Sequence, residues 1–123
     1  MPDTLFTLLY VADPQASARF YADLLGQPAI EASPTFAMFE LGPGAMLGLW
    51  KRDTVAPAAS GQPGAGELAF AVPDRDAVDA RLARWQSLGC QVLQHPVAMD
   101  FGYTFTVQDA DGHRLRVFAP SER

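Results

Sequence analysis

Three residues near the end of the chain have the types and spacing of metal ligands. Asp109, Asp111 and His113 stand two apart in "DADGH". Two carboxylates and an imidazole could share a divalent cation. The same stretch could equally be a polar turn between two strands. Asp111-Gly112 favours the turn, because glycine supplies the left-handed backbone that a tight strand connection needs. His95 precedes Pro96 in an expected loop, and nothing near it in the sequence completes a catalytic set. The single cysteine, Cys90, gives neither an intrachain disulfide nor a cysteine-based zinc motif. With Val92 and Leu93 beside it, it reads as a buried structural thiol. No Ser/His/Asp arrangement suggests an activated nucleophile.

The elements that carry these residues occur twice. "LFTLLYVADPQASARFYADLL" (5–25) and "GELAFAVPDRDAVDARLARWQSL" (66–88) each run from an apolar strand through Val and Asp into a helical pattern. Val11 and Val72, like Asp13 and Asp74, stand 61 residues apart, and Gly26 and Gly89 stand 63 apart. The two aspartates are N-cap types, Pro14 suits the first helical position, and the two glycines suit the left-handed position after a helix. Phe20, Tyr21, Leu24 and Leu25 form one apolar helix face; Val78, Leu82, Trp85 and Leu88 form the other.

Short strands follow each helix. The pattern predicts strands over 27–30, 36–41 and 45–50 in the first half, and over 91–93, 103–107 and 114–119 in the second. Each half is therefore βαβββ and the fold class is α+β. Module one spans 4–50 and module two 66–120, within one domain of 123 residues. Residues 51–65, rich in Pro, Gly and Ala, link them.

Composition narrows the function classes. Nine Lys+Arg against fourteen Asp+Glu give a net charge of −5, which argues against a nucleic-acid partner. No apolar run approaches the ~20 residues of a membrane span, and no N-terminal segment resembles a signal peptide. A cytoplasmic protein is expected.

With "VADPQASARFYADLLG" (11–26) and "DADGH" (109–113), the duplicated βαβββ pattern resembles the vicinal-oxygen-chelate superfamily of glyoxalases, bleomycin-resistance proteins and extradiol dioxygenases. The resemblance covers nearly the whole chain. It implies curled mixed sheets around a cleft, with the two modules paired in-chain or exchanged in a dimer. It also implies four metal-ligand positions, one on the first and one on the last strand of each module. Those positions here are Phe6, Gly48, Glu67 and Arg116. Only Glu67 has a usable donor atom, since Phe and Gly offer none and Arg stays cationic. The resemblance thus predicts no metal, no cofactor and no catalytic residue.

Strand alternation puts Phe6, Leu8, Tyr10, Met46, Gly48 and Trp50 on the cleft side of module one. In module two it puts Glu67, Ala69, Ala71, Arg114, Arg116 and Phe118 there. Arg116 could pair with Glu67, point to solvent, or meet an acidic ligand. Trp50 could stack on a planar ligand or belong to the core; Trp85, on the apolar face of its helix, reads as core. Gly48 removes a side chain beside Phe6 and Tyr10. Tyr10 and Tyr103 could donate hydrogen bonds to a ligand, although the face that residues 101–107 turn to the cleft is open.

This face composition is similar to the antibiotic-binding branch of the superfamily, whose members sequester drugs of the phenazine, mitomycin and bleomycin types as homodimers, often with exchanged modules. The expectation is non-enzymatic binding of a planar aromatic small molecule of phenazine type. Its ligand residues would be Trp50, Phe6, Tyr10, Gly48, Glu67, Tyr103, Arg116 and Phe118. The alternatives are a metal-independent enzyme with Glu67 as base, and an interaction domain whose cleft its own side chains fill.

Overall fold

A computed structural model describes residues 3–121. The order is β1 (Leu5–Val11), α1 (Pro14–Leu25), β2 (Glu31–Ala32), β3 (Phe36–Gly42), β4 (Ala45–Lys51), a 3-10 turn (Arg52–Thr54), β5 (Glu67–Ala71), α2 (Arg75–Ser87), β6 (Gln91–Met99), β7 (Gly102–Gln108) and β8 (Arg114–Pro120). The chain divides into two compact units, the first ending at Gly61 and the second beginning at Gln62, within the stretch expected as a linker. Each unit holds one helix and one four-stranded mixed sheet, ordered β1-β4-β3-β2 and β5-β8-β7-β6. In both, the first strand runs parallel to the last and the other pairs are antiparallel.

Helix starts follow the capping residues. Asp13 Oδ1 accepts the backbone N–H of Gln15 at 3.0 Å and of Ala16 at 3.3 Å, with Pro14 opening the helix. Asp74 Oδ1 accepts the N–H of Ala77 at 2.9 Å. Each such cap is worth about 1 kcal/mol. Gly26 (φ 73°) and Gly89 (φ 89°) turn the chain out of the two helices through the left-handed region.

One face of each sheet is covered by its helix. In the first unit Val11, Ala37, Phe39, Leu47 and Leu49 are fully buried, as are Tyr21 and Leu24 of α1. In the second, Phe105, Val107, Leu115 and Val117 are fully buried against Val78 and Trp85. The Trp85 ring meets Phe70 and Phe105 edge to face, at 5.8 and 5.7 Å. Trp85 is core, as expected, but its indole N–H is buried with no hydrogen-bond partner among the described residues.

Register makes the units superposable in sequence terms. Phe6, Leu8 and Tyr10 pair with Met46, Gly48 and Trp50, while Glu67, Ala69 and Ala71 pair with Arg114, Arg116 and Phe118. Phe36 faces Trp50 as Thr104 faces Phe118, and Met38 faces Gly48 as Thr106 faces Arg116.

Two strand expectations need correction. The strand expected over 27–30 lies instead at Glu31–Ala32. Pro28 has no N–H to give, and the Gln27 N–H still closes α1 onto the Ala22 carbonyl at 3.1 Å. Only at Ile30, whose N–H bonds the Met38 carbonyl at 2.8 Å, does the ladder begin. Conversely, β6 does not stop at Leu93 but continues to Met99, so His95 lies in a strand rather than a loop. Register shifts between Val92 and Gln94 and between Gln94 and Val97 absorb Pro96, and β6 is an edge strand, where a missing donor is tolerated. Among the described residues no helix is long and apolar enough to cross a membrane.

Candidate functional site

The face of each sheet turned away from its helix carries the candidate residues other than Tyr103. In the second unit this face is polar and its groups are joined. Arg116 Nε donates to Glu67 Oε2 at 2.5 Å and Nη2 to Oε1 at 3.3 Å, a bidentate pair. Nη1 donates to Gln94 Oε1 and to Thr104 Oγ1, each at 3.2 Å. The Thr104 hydroxyl in turn donates to the Val117 carbonyl at 2.8 Å. Thr106 Oγ1 reaches Gln94 Oε1 at 3.4 Å. Of the three placements open to Arg116, the structure takes the ion pair. The Glu67 side chain remains 31% exposed against 16% for Arg116, so the carboxylate is the more accessible end.

Aromatic rings adjoin this network. The guanidinium of Arg116 lies 5.6 Å from the centre of the Phe101 ring, and Phe101 meets Phe118 edge to face at 5.8 Å. Phe118 is half-buried and Phe101 is exposed.

The matching face of the first unit is apolar. Phe6 and Leu8 are exposed, and Tyr10, Phe36, Met38, Met46 and Trp50 are half-buried. The rings of Tyr10 and Trp50 stand nearly perpendicular, at 83° and 6.1 Å, so neither is stacked flat on the other. Trp50 is thus far less enclosed than Trp85. Gly48 does not open the room expected of it. A side chain there would begin 2.6 Å from Leu8 Cδ2 and 2.9 Å from Phe36 Cζ, so its neighbours already fill that space.

Tyr103 is the clearest correction. It shares strand parity with Phe105 and Val107 and lies on the helix-covered side, where its hydroxyl donates to Asp79 Oδ1 at 2.9 Å. Arg75 lies over its ring at 4.7 Å. The bond to Asp79 is the main cause holding the Tyr103 phenol above its ordinary pKa, with Arg75 opposing. Tyr103 therefore cannot donate to a ligand on the open face. It lines instead a cavity of about 680 Å³ at the start of α2, with Asp74, Asp76 and Met99 among its walls.

The DADGH stretch is a turn. Asp109 Oδ1 accepts the N–H groups of Asp111 at 3.0 Å and His113 at 2.9 Å, and Gly112 adopts φ 98°. Cys90 is half-buried, and burial, then the nearby Asp109 charge, pushes its thiol pKa up to about 11.

Donor chemistry at the four positions where the resemblance implies metal ligands does not fit a divalent ion. In the first unit Phe6 and Gly48 offer no donor. In the second, Glu67 already holds a cation, the guanidinium of Arg116. Among the described residues no three of His, Cys, Asp and Glu gather as a ligand set.

Sequence reasoning missed Thr104, Thr106 and Gln94. The first two were legible, since they alternate with the buried Phe105 and Val107. Gln94 was not, because the register shifts in β6 hide its face.

The duplicated fold belongs with one group of proteins. The profile of the glyoxalase/bleomycin resistance protein/dioxygenase superfamily matches residues 5–117, and the chain belongs to that superfamily. Phenazine antibiotic resistance protein EhpR from Enterobacter agglomerans is similar to it, with 26% identity over 113 residues that cover 89% of this chain and 86% of EhpR. A protein from Agrobacterium tumefaciens solved by NMR in solution is 51% identical, with a TM-score of 0.89 over 99% of this chain and 100% of that one. A glyoxalase-related enzyme from Fulvimarina pelagi is 25% identical, with a TM-score of 0.85 over 97% of this chain and 88% of that one.

Proposed function

We propose that this protein binds a planar aromatic small molecule of the phenazine type and sequesters it without changing it. The observation that carries this reading is the uncovered aromatic face of the first unit. There Trp50 stands half-buried beside Tyr10, not stacked flat on it, among the apolar side chains of Phe6, Leu8, Phe36, Met38 and Met46. A ring system laid on Trp50 would bury roughly 200 Å² of apolar surface, of order 5 kcal/mol before the costs of association. Similarity to EhpR supports a drug-binding role. The clamped state of Glu67 counts against the rival reading, a metal-independent enzyme with Glu67 as base, because its carboxylate is already engaged at both oxygens. The reading includes a homodimer, which light scattering on a sizing column would test.

Calorimetric titration with phenazine-1-carboxamide tests the binding. The expected result is saturable binding with a micromolar or tighter Kd and recovery of the ligand unaltered after prolonged incubation. Absence of binding, or conversion of the compound, would contradict the proposal.

A further inference from the structure

We infer that the open face of the second unit selects aromatic ligands that carry a hydrogen-bond donor, neutral or cationic, and rejects those that carry a carboxylate. The inference rests on the reading that the protein binds planar aromatic molecules, and it concerns the open face of the second unit by itself. An arginine on a ligand-facing strand would ordinarily mark an anion receptor. Arg116 is largely committed elsewhere. Four of its five N–H donors are engaged, with Nε and Nη2 each giving one to an oxygen of Glu67 and Nη1 giving two, to Gln94 and Thr104, and its charge is matched by Glu67. Thr104 is itself fully buried and anchored to the Val117 carbonyl, which fixes the guanidinium from behind.

What remains for a ligand is the carboxylate of Glu67, the more exposed partner. An ionised carboxylate accepts hydrogen bonds only. A ring lying against Phe101 and Phe118 would therefore find an acceptor at this edge, held in place by Arg116. An amide, amine or phenol can satisfy it. A ligand carboxylate would meet a like charge, and reaching the guanidinium would require displacing Glu67. Arg114, the register partner of Glu67, is exposed and joins no ion pair among the described residues, so a ligand carboxylate would meet it only in water, where an exposed ion pair gains little.

Three probes with one ring system test this: phenazine-1-carboxamide, phenazine-1-carboxylate and the N-methylphenazinium cation, titrated at pH 8, where the acid is ionised. The intact protein should bind the carboxamide at least tenfold more tightly than the carboxylate. Glu67→Gln keeps the shape of the side chain and frees the charge of Arg116, so it should close or reverse that ratio. Arg116→Met leaves Glu67 uncompensated and should tighten N-methylphenazinium severalfold; it also keeps the test decisive should Glu67→Gln fold poorly. Arg114→Gln should leave the ranking unchanged. Tighter binding of the carboxylate to the intact protein, or a ratio indifferent to both Glu67→Gln and Arg116→Met, would overturn the inference while leaving phenazine binding standing. No binding of any probe would overturn both.

Discussion

The two units use one scaffold and put opposite chemistry on it. Positions that match by register are Phe6 and Glu67, Leu8 and Ala69, Phe36 and Thr104, and Gly48 and Arg116. Volume is exchanged as well as polarity. In the first unit the residue at the centre is a glycine, and large neighbours, Leu8 and Phe36, fill the space above it. In the second the centre is an arginine, and the matching neighbours are small, Ala69 and Thr104. The helix-covered faces, by contrast, stay apolar in both, because each must bury the same kind of surface. The duplicated core therefore fixes the fold, and the open faces are free to diverge.

The harshest way to break the comparison is through the ladder that carries the polar face. Gly102→Ala would place Cβ 2.0 Å from the Ala119 carbonyl oxygen at φ 151°. Backbone cannot yield as a side chain can, so a loss of about 4 kcal/mol in urea unfolding is expected. A loss under about 1 kcal/mol would mean that β7 and β8 do not approach this closely.

Next comes the ion pair. Arg116→Met strands Glu67, Gln94 and Thr104 at once and should cost about 2 kcal/mol, moderated by the partial exposure of the pair. In a double-mutant cycle with Glu67→Gln the coupling should be about 1 kcal/mol. Additive effects would reduce the pair to a geometric coincidence.

The filled centre of the first unit is gentler to disturb. Gly48→Ala should cost about 1 kcal/mol, since the half-exposed Leu8 can swing aside. Adding Leu8→Ala should recover much of that loss. If Gly48→Ala is neutral and improves ligand binding, the space over Gly48 is open after all.

Smallest at neutral pH is the effect of Cys90, which follows Gly89 as Gln27 follows Gly26. Its raised pKa, about 11 against an ordinary 9.0, leaves roughly a hundredfold less thiolate near neutrality. Alkylation by iodoacetamide should be slow at pH 8 and climb toward pH 11. The folded state binds this proton more tightly than the unfolded chain. Its stabilising contribution is thus complete below about pH 9 and lost as pH rises through about 11. A Cys90→Ser variant should lack that alkaline decline.

Much of this architecture was legible in the sequence because its signals are local. Asp13, Asp74, Pro14 and the glycines at 26 and 89 mark both helices, and period-two alternation places Glu67 and Arg116 on one face. What stayed hidden depends on neighbours far along the chain. Whether Gly48 leaves a hole depends on Leu8 and Phe36, which reach it from two other strands. The side of β7 that carries Tyr103 depends on which residues α2 covers. Pro96 looked like the end of a strand, and only an edge position with two register shifts lets β6 run through it.

The aromatic face is the central claim, and the two tryptophans offer a direct test of it. Trp50 stands on the open face of the first unit and Trp85 lies 1% exposed in the core of the second. Intrinsic fluorescence should be quenched on titration with phenazine-1-carboxamide. Trp85→Phe should retain that response, whereas Trp50→Phe should lose both the quenching and at least tenfold in calorimetric affinity. Unchanged affinity in Trp50→Phe, or no binding by the intact protein, would contradict the account.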